Sequence, residues 1–223
     1  MTSAENLPEL LIDTPAGGKP AALTFAFAHG AGAPMDTPFM TFFAEELAAR
    51  GWRVVRFEFP YMARRRREPK RPPPDRQPVL LDTWRRVIAE LGAELVAEKL
   101  IIGGKSMGGR MASLIADEPP AKGRGVAGLA CLGYPFHPAG KPERLRTEHL
   151  AGLRTPCLIC QGTRDALGSA GEVAGYDLAP SIRLHWAEDG DHDLKPRKAS
   201  GRSAEQNWAD AVEALDGFFR GLA

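Results

Sequence analysis

The stretch Leu100 to Met111, LIIGGKSMGGRM, constrains this chain more than any other. Leu100, Ile101 and Ile102 form a short apolar run of the kind that makes a buried parallel strand, and Gly103 and Gly104 end it. Met107, Met111, Leu114 and Ile115 then recur at i, i+4, i+7 and i+8, one apolar face of a helix that Pro119 and Pro120 must stop. Ser106 sits on the corner between them. That corner reads Gly104-Lys105-Ser106-Met107-Gly108, a G-x-S-x-G turn in which a strained serine stands clear of the sheet. A side chain at either glycine would collide with the neighbouring strand or helix, so hydrogen is what fits. The start of the helix favours negative charge beside the serine. A chain with 24 glycines matches this pattern by chance roughly once in a dozen such sequences, so its weight comes from the strand before it and the helix after it.

The chain has 223 residues, enough to bury a substantial core in one domain or at most two. With 29 basic and 28 acidic side chains the net charge is +1, so no global polycation argues for nucleic acid or a membrane surface. The first residues carry Glu5 and Glu9 and lack the basic start and apolar core of a signal peptide, and no apolar run approaches membrane-spanning length. A cytoplasmic, soluble protein is expected. Three cysteines make a poor disulfide framework. Cys157 and Cys160 form a C-x-x-C inside the apolar run CLIC, which reads as a strand; residues three apart on a strand face opposite sides, so neither a metal nor a cofactor is expected.

Taken in order, residues 9–14 read as a short first strand and Leu23 to Ala28 as the first long one, ending in the flexible His29-Gly30-Ala31-Gly32-Ala33-Pro34. Phe39, Phe42, Phe43, Leu47 and Ala48 mark a helix that stops near Gly51, and Trp52 to Phe59 reads as a strand. Residues 60–78 break the rhythm. They hold Arg64, Arg65, Arg66, Arg67, Lys70, Arg71 and Arg76 against Glu68 and Asp75, a local charge of +5, with five prolines between 69 and 78. A long irregular basic loop is expected there, functional or a solvated linker. Asp82 can N-cap a helix lined by Trp84, Val87, Ile88, Leu91 and Leu95. Strands at Val126 to Leu132, Pro156 to Gln161 and Ile182 to Ala187 follow. A short polar helix is expected at 143–152, a helix or turn at 169–177, and a last helix from Ser203 to Phe219. This alternation implies one domain with a mostly parallel sheet of about six to eight strands covered by helices on both faces. Ligands in such sheets sit at the carboxyl ends of the strands, where His29, Ser106, Tyr134, Asp165 and the loop around His192 would converge.

An alcohol needs a base, and the base an orienting acid. The strand-to-helix serine turn takes them in the order Ser, acid, His. His185 lies inside the last strand, whereas His192, in Asp189-Gly190-Asp191-His192-Asp193-Leu194, lies in a turn-forming loop that can swing over the strand ends. Asp165 follows the strand ending at Gln161 and is the expected acid, since Gly133-Tyr134-Pro135-Phe136-His137 offers no carboxylate. The oxyanion of a tetrahedral intermediate needs preorganised N–H donors. Met107 is expected to supply one and Ala31 the other, with Gly32 as the alternative. His29 reads as a brace of that loop; with Tyr134 and Arg64, Arg65, Arg66 and Arg67 it is kept as a possible substrate contact.

These residues resemble the α/β-hydrolase superfamily, and more closely the small, dienelactone-hydrolase-like family related to testis-expressed protein 30 and the third regulatory subunit of the KAT8 complex. The resemblance covers nearly the whole chain and rests on AHGAG at 28–32, GGKSMGGR at 103–110, GYPFHPAGKPERLRTEHL at 133–150, QGTRDALG at 161–168 and GDHDLKP at 190–196. It implies a single α/β-hydrolase domain over 1–223, with Ser106, Asp165 and His192 in the triad positions, and it leaves the substrate open. The expected activity is hydrolysis of a carboxylic ester or thioester. The chain lacks a long insertion for a lid, so small or short-chain substrates are expected. The alternative is a scaffold that keeps the fold and holds an acidic partner with its arginine-rich segment. Neither nucleic acid nor membrane is expected as a partner, and the oligomeric state is open.

Overall fold

Seven strands form one sheet in the computed structural model, which describes residues 8–18, 21–68, 71–95, 98–120 and 125–223. They are β1 (Leu10–Asp13), β2 (Leu23–Ala28), β3 (Arg53–Phe57), β4 (Lys99–Lys105), β5 (Val126–Leu132), β6 (Cys157–Gly162) and β7 (Ile182–Ala187). Their spatial order is β1-β3-β2-β4-β5-β6-β7, all parallel except the edge strand β1, which pairs antiparallel with β3. The helices are α1 (Pro38–Ala49), α2 (Pro60–Arg67), α3 (Gln77–Glu94), α4 (Met107–Ser113), α5 (Ala170–Val173) and α6 (Ala204–Leu222).

The strands are apolar on both faces because helices cover both. Ala26, Ala28, Leu100, Ile102, Cys157 and Ile159 pack under α3 and α4, against Trp84, Val87, Leu91 and Met111. Their sequence neighbours Phe25, Phe27, Ile101, Leu158 and Cys160 pack under α1 and α6, against Phe43, Leu47, Leu215 and Phe219. Cys157 and Cys160 thus lie on opposite faces, both as free buried thiols. The helix α6 opens on a capping box in which Ser203 and Gln206 satisfy each other's backbone amides. Among the described residues no helix is long and apolar enough to cross a membrane.

The chain moves outward from β2 to β3, then returns to place β4 on the other side of β2. That reversal opens a crevice at the carboxyl ends of β2 and β4, where open α/β sheets bind ligands. Between β5 and β6 lie only turns and the single 3-10 turn Glu148–Leu150, and among the described residues no lid covers this end of the sheet.

Three expectations need correction. The basic segment 60–78 is not irregular throughout: Pro60–Arg67 is a helix, and α3 begins at Gln77 instead of at an Asp82 cap. Pro60 and Pro78 occupy first-turn positions, where a missing N–H costs nothing, and the arginine run that would repel itself is offset by acids from outside. Arg64 pairs with Asp75 at 2.5 Å, and Arg66 with Glu58 at 2.6 Å and Asp36 at 2.9 Å. Asp82 lies inside α3, paired with Arg86. Pro69 and Lys70 lie outside the described residues. The polar helix expected at 143–152 shrinks to the 3-10 turn, because the Arg146 amide donates instead to the Phe136 carbonyl, folding the segment back on itself.

Candidate active site

The corner after β4 is built as its glycines require. Ser106 has φ +51° and ψ −116°, a conformation that costs on the order of 1–3 kcal/mol and persists because neighbours hold it. Its amide donates to the Leu132 carbonyl at 2.9 Å, and its carbonyl accepts from the Arg110 amide at 3.0 Å. A methyl on Gly108 would lie 2.6 Å from the carbonyl oxygens of Ala28 and His29, and one on Gly104 would strike the Ala28 carbonyl. The serine therefore turns tightly onto the end of β2.

Ser106, His192 and Asp165, far apart in sequence, form one hydrogen-bonded chain. His192 Nε2 is 2.9 Å from Ser106 Oγ, and His192 Nδ1 is 2.8 Å from Asp165 Oδ2. With Nδ1–H donating to the carboxylate, Nε2 is left to accept the serine proton. Asp165 is fully buried, and its other oxygen accepts from the Leu167 amide at 2.8 Å.

Two residues that the sequence reading gave no role support this chain. Gln161, fully buried at the end of β6, donates to Asp165 Oδ2 at 2.9 Å while its Oε1 accepts from the Tyr134 amide at 2.6 Å. Lys105 sends its ammonium to the backbone carbonyl of His192 and lies 3.2 Å from Asp193. A glutamine closing an apolar strand and a lysine inside a glycine-rich motif carry no signal of these contacts; the partners come from loops distant in sequence. The His192 loop is further braced by Asp191, whose Oδ1 accepts from the Asp193 and Lys195 amides, and by Asp189, which pairs with Arg164 and Arg197.

A cavity of about 410 Å³ opens over Ser106 and His192. Ala31 and Gly32 line it, together with an apolar wall that includes Pro34, Phe39 and Trp208. Met107 follows Ser106 as the first residue of α4, where a backbone N–H has no intrahelical partner. The Ala31 carbonyl is held from behind by Tyr61 Oη at 3.0 Å and Arg65 at 3.2 Å.

The other candidate contacts lie elsewhere, which corrects their placement at the site. His29 is fully buried: its Nδ1–H donates to Gly30 O at 2.6 Å and its Nε2 accepts from the Phe59 amide at 3.1 Å, so it braces the loop. Burial pushes its pKa down to about 4. Tyr134 is fully buried, its hydroxyl 3.0 Å from Ser113 Oγ, and burial raises its pKa. Arg64, Arg66 and Arg67 line a separate cavity of about 550 Å³, beside Glu9, Glu58 and Glu68. Arg65 reaches no further than the outer side of the Ala31 loop, stacked on Tyr61 at 4.9 Å. Arg64, Arg65 and Arg66 are held by acids and carbonyls of their own chain, and none of the four arginines lines the Ser106 cavity.

Residues 21–220 match the family model of the alpha/beta hydrolase domain, and the chain belongs to that family. Solved structures share the fold. An alpha-beta serine hydrolase homologue from Coxiella burnetii superposes with a TM-score of 0.68 at 17% identity, covering 96% of this chain and 91% of its own. An α/β serine hydrolase without a lid from Xanthomonas campestris gives 0.67 at 20% identity, covering 95% and 87%. A dienelactone hydrolase from Anabaena variabilis gives 0.67 at 19% identity, covering 97% and 99%.

Proposed function

We propose that this hydrolase-family protein is a serine hydrolase of carboxylic esters or thioesters. The observation that carries the reading is the Ser106–His192–Asp165 chain, with both contacts within 3 Å, beneath a cavity open to solvent. His192 Nε2 takes the Ser106 proton as Oγ attacks the acyl carbon. The developing oxyanion is received by the amide of Met107 and that of Ala31 or Gly32. The alkoxide or thiolate leaves with the proton from His192, forming an acyl-serine. Water then attacks that acyl group, giving its proton to His192, and the acid departs as Oγ is reprotonated. Asp165 fixes the imidazole tautomer and orientation. A cavity of this size without a lid suits small or short-chain acyl groups; higher kcat/KM for long acyl chains than for acetate and butyrate would refute that part. On the motifs quoted above, we place the chain with the small hydrolases related to testis-expressed protein 30.

The test is labelling by a fluorophosphonate probe, with p-nitrophenyl acetate and butyrate as substrates. Wild type should label and turn over both esters, while Ser106→Ala and His192→Ala should do neither. A folded wild type that neither labels nor hydrolyses would refute the reading. The scaffold alternative, in which the arginine-rich segment holds an acidic partner, draws less support because two of its arginines, Arg64 and Arg66, are already paired with Asp75, Glu58 and Asp36.

A further inference from the structure

Three consecutive carbonyls in the loop that carries the base, those of His192, Asp193 and Leu194, each accept from a side chain of another element. Lys105 of β4 takes the first, while α6 takes the others: Trp208 Nε1 donates to Asp193 O at 2.8 Å and Asn207 Nδ2 to Leu194 O at 2.9 Å. A primary amide carries two N–H groups, and Asn207 Nδ2 also donates to the Glu188 carbonyl at 2.9 Å. One side chain thus ties both ends of residues 188–194.

Both ends are strained. Among the described residues the non-glycine residues with positive φ are Ser106, Asp189 at +51° and Leu194 at +61°. A left-handed leucine is sterically disfavoured and persists only where its surroundings hold it. Leu194 is fully buried in the core layer that includes Trp208 and Ala211, so its side chain is fixed by packing and its carbonyl by Asn207.

The helix itself has no use for Asn207. Ser203 and Gln206 already cap its first turn, and asparagine is a poor helix former because its amide competes with the backbone. Asn207 is nevertheless fully buried. Arg202 Nε donates to its Oδ1 at 2.8 Å, which fixes the way the amide faces and turns both N–H groups to the loop. An imidazole that must meet Ser106 at 2.9 Å and Asp165 at 2.8 Å tolerates little movement of the backbone beneath it.

We propose that Asn207 is a positioning residue for His192: its amide closes the strained loop and so sets where the imidazole stands between Asp165 and Ser106. It touches no reacting atom. The inference rests on His192 as the base and deepens that reading.

The test is Asn207→Asp, which keeps the size of the side chain and a partner for Arg202 but cannot donate to either carbonyl. With p-nitrophenyl butyrate, kcat should fall about 10- to 100-fold with KM little changed, and fluorophosphonate labelling should slow by a similar factor. A second reading needs no turnover. In the wild type the proton between His192 Nδ1 and Asp165 should give a low-field proton NMR line, assigned by its loss in His192→Ala; in Asn207→Asp that line should move or broaden while the rest of the spectrum stays folded. Val212→Ala is the control, because it weakens the core of the same helix and removes no hydrogen bond from the loop. Below its melting temperature it should keep both kcat and the line.

A folded Asn207→Asp with wild-type kcat or an unmoved line overturns the proposal, as does an equal loss of kcat in Val212→Ala. If Asn207→Asp does not fold, Arg202→Met decides: it frees the amide to turn, so kcat should fall about 3- to 10-fold, and an unchanged kcat or line overturns the proposal. A wild type that shows the line, displaced in Asn207→Asp, but neither labels nor hydrolyses would uphold the positioning and refute the hydrolase reading.

Discussion

The ammonium of Lys105 donates to the backbone carbonyl of His192 and lies 3.2 Å from the carboxylate of Asp193. Lys105 is the last residue of β4, so the strand that presents Ser106 also holds the loop that presents the imidazole. The cation is 8% exposed and sits 5.4 Å from the Phe39 ring centroid, between the apolar wall of the cavity and the loop. Burial lowers its pKa and Asp193 works against that shift. Its role in the proposed mechanism is positional: it touches the backbone of His192 and neither its ring nor Ser106 Oγ.

Lys105→Met keeps most of the apolar stem and removes the donor. Turnover of p-nitrophenyl butyrate should fall about 10- to 100-fold in kcat with KM little changed, because small displacements of a base are costly to the chemical step. Equal kcat in variant and wild type would mean that Asp189 and Asp191 suffice to hold the loop.

Gln161 links the acid to the chain around Tyr134, so Gln161→Leu leaves Asp165 without one donor and the Tyr134 amide without its acceptor. A stability loss of roughly 2–4 kcal/mol is expected from stranded buried polar groups, read as a lower urea midpoint, with a rate loss of about 10- to 100-fold. Asp165→Asn, by contrast, should cost about 10³- to 10⁴-fold in kcat with little change in the midpoint. If Asp165→Asn were no worse than Gln161→Leu in rate, Asp165 would not be the orienting acid.

The sheet and the meeting of Ser106, His192 and Asp165 were legible because each rests on a local pattern: a strand-glycine-helix corner, a turn-rich loop after the last strand, a carboxylate just past a strand end. The arginine segment was not. Pro60 starts the helix and the remaining prolines come at 69 and later, after the helix has closed, and the charge looked free because Glu58 and Asp36 lie outside the window and nothing in the window paired Asp75 with Arg64. Arg110 shows the converse. A single arginine inside a glycine-rich motif looks unremarkable, and that its buried Nε has no hydrogen-bond partner among the described residues emerges only when the fold has been assembled around it.

Gly108 in the elbow and Gly152 in a turn differ sharply in what they tolerate. Gly108→Ala would set a methyl 2.6 Å from two backbone oxygens that cannot rotate away, so β2 and α4 must separate. A loss of stability of about 2 kcal/mol or more is expected, read in urea melts. Gly152→Ala meets nothing within 4 Å, does not require positive φ, and should leave the midpoint within about 0.5 kcal/mol of wild type. A Gly108→Ala protein as stable as Gly152→Ala would show that the corner has room the geometry denies.

His29 makes stability depend on pH. Its folded pKa lies at about 4 against an ordinary 6.5, lowered mainly by burial. Between those values the unfolded chain binds a proton that the folded chain refuses, so stability rises with pH at up to about 1.4 kcal/mol per pH unit. The contribution is fully present above pH 6.5 and is lost as pH falls toward 4. His149, also lowered to about 4 by burial, adds a slope of the same sign, weakened by its partial exposure. His29→Gln can still accept from the Phe59 amide and carries no titration. Its urea midpoint should start lower at pH 7.5 but decline less steeply between pH 7 and 5 than that of the wild type. His29→Gln/His149→Gln should be flatter still. A wild-type slope retained in His29→Gln would mean that His29 takes up its proton without unfolding the loop it braces.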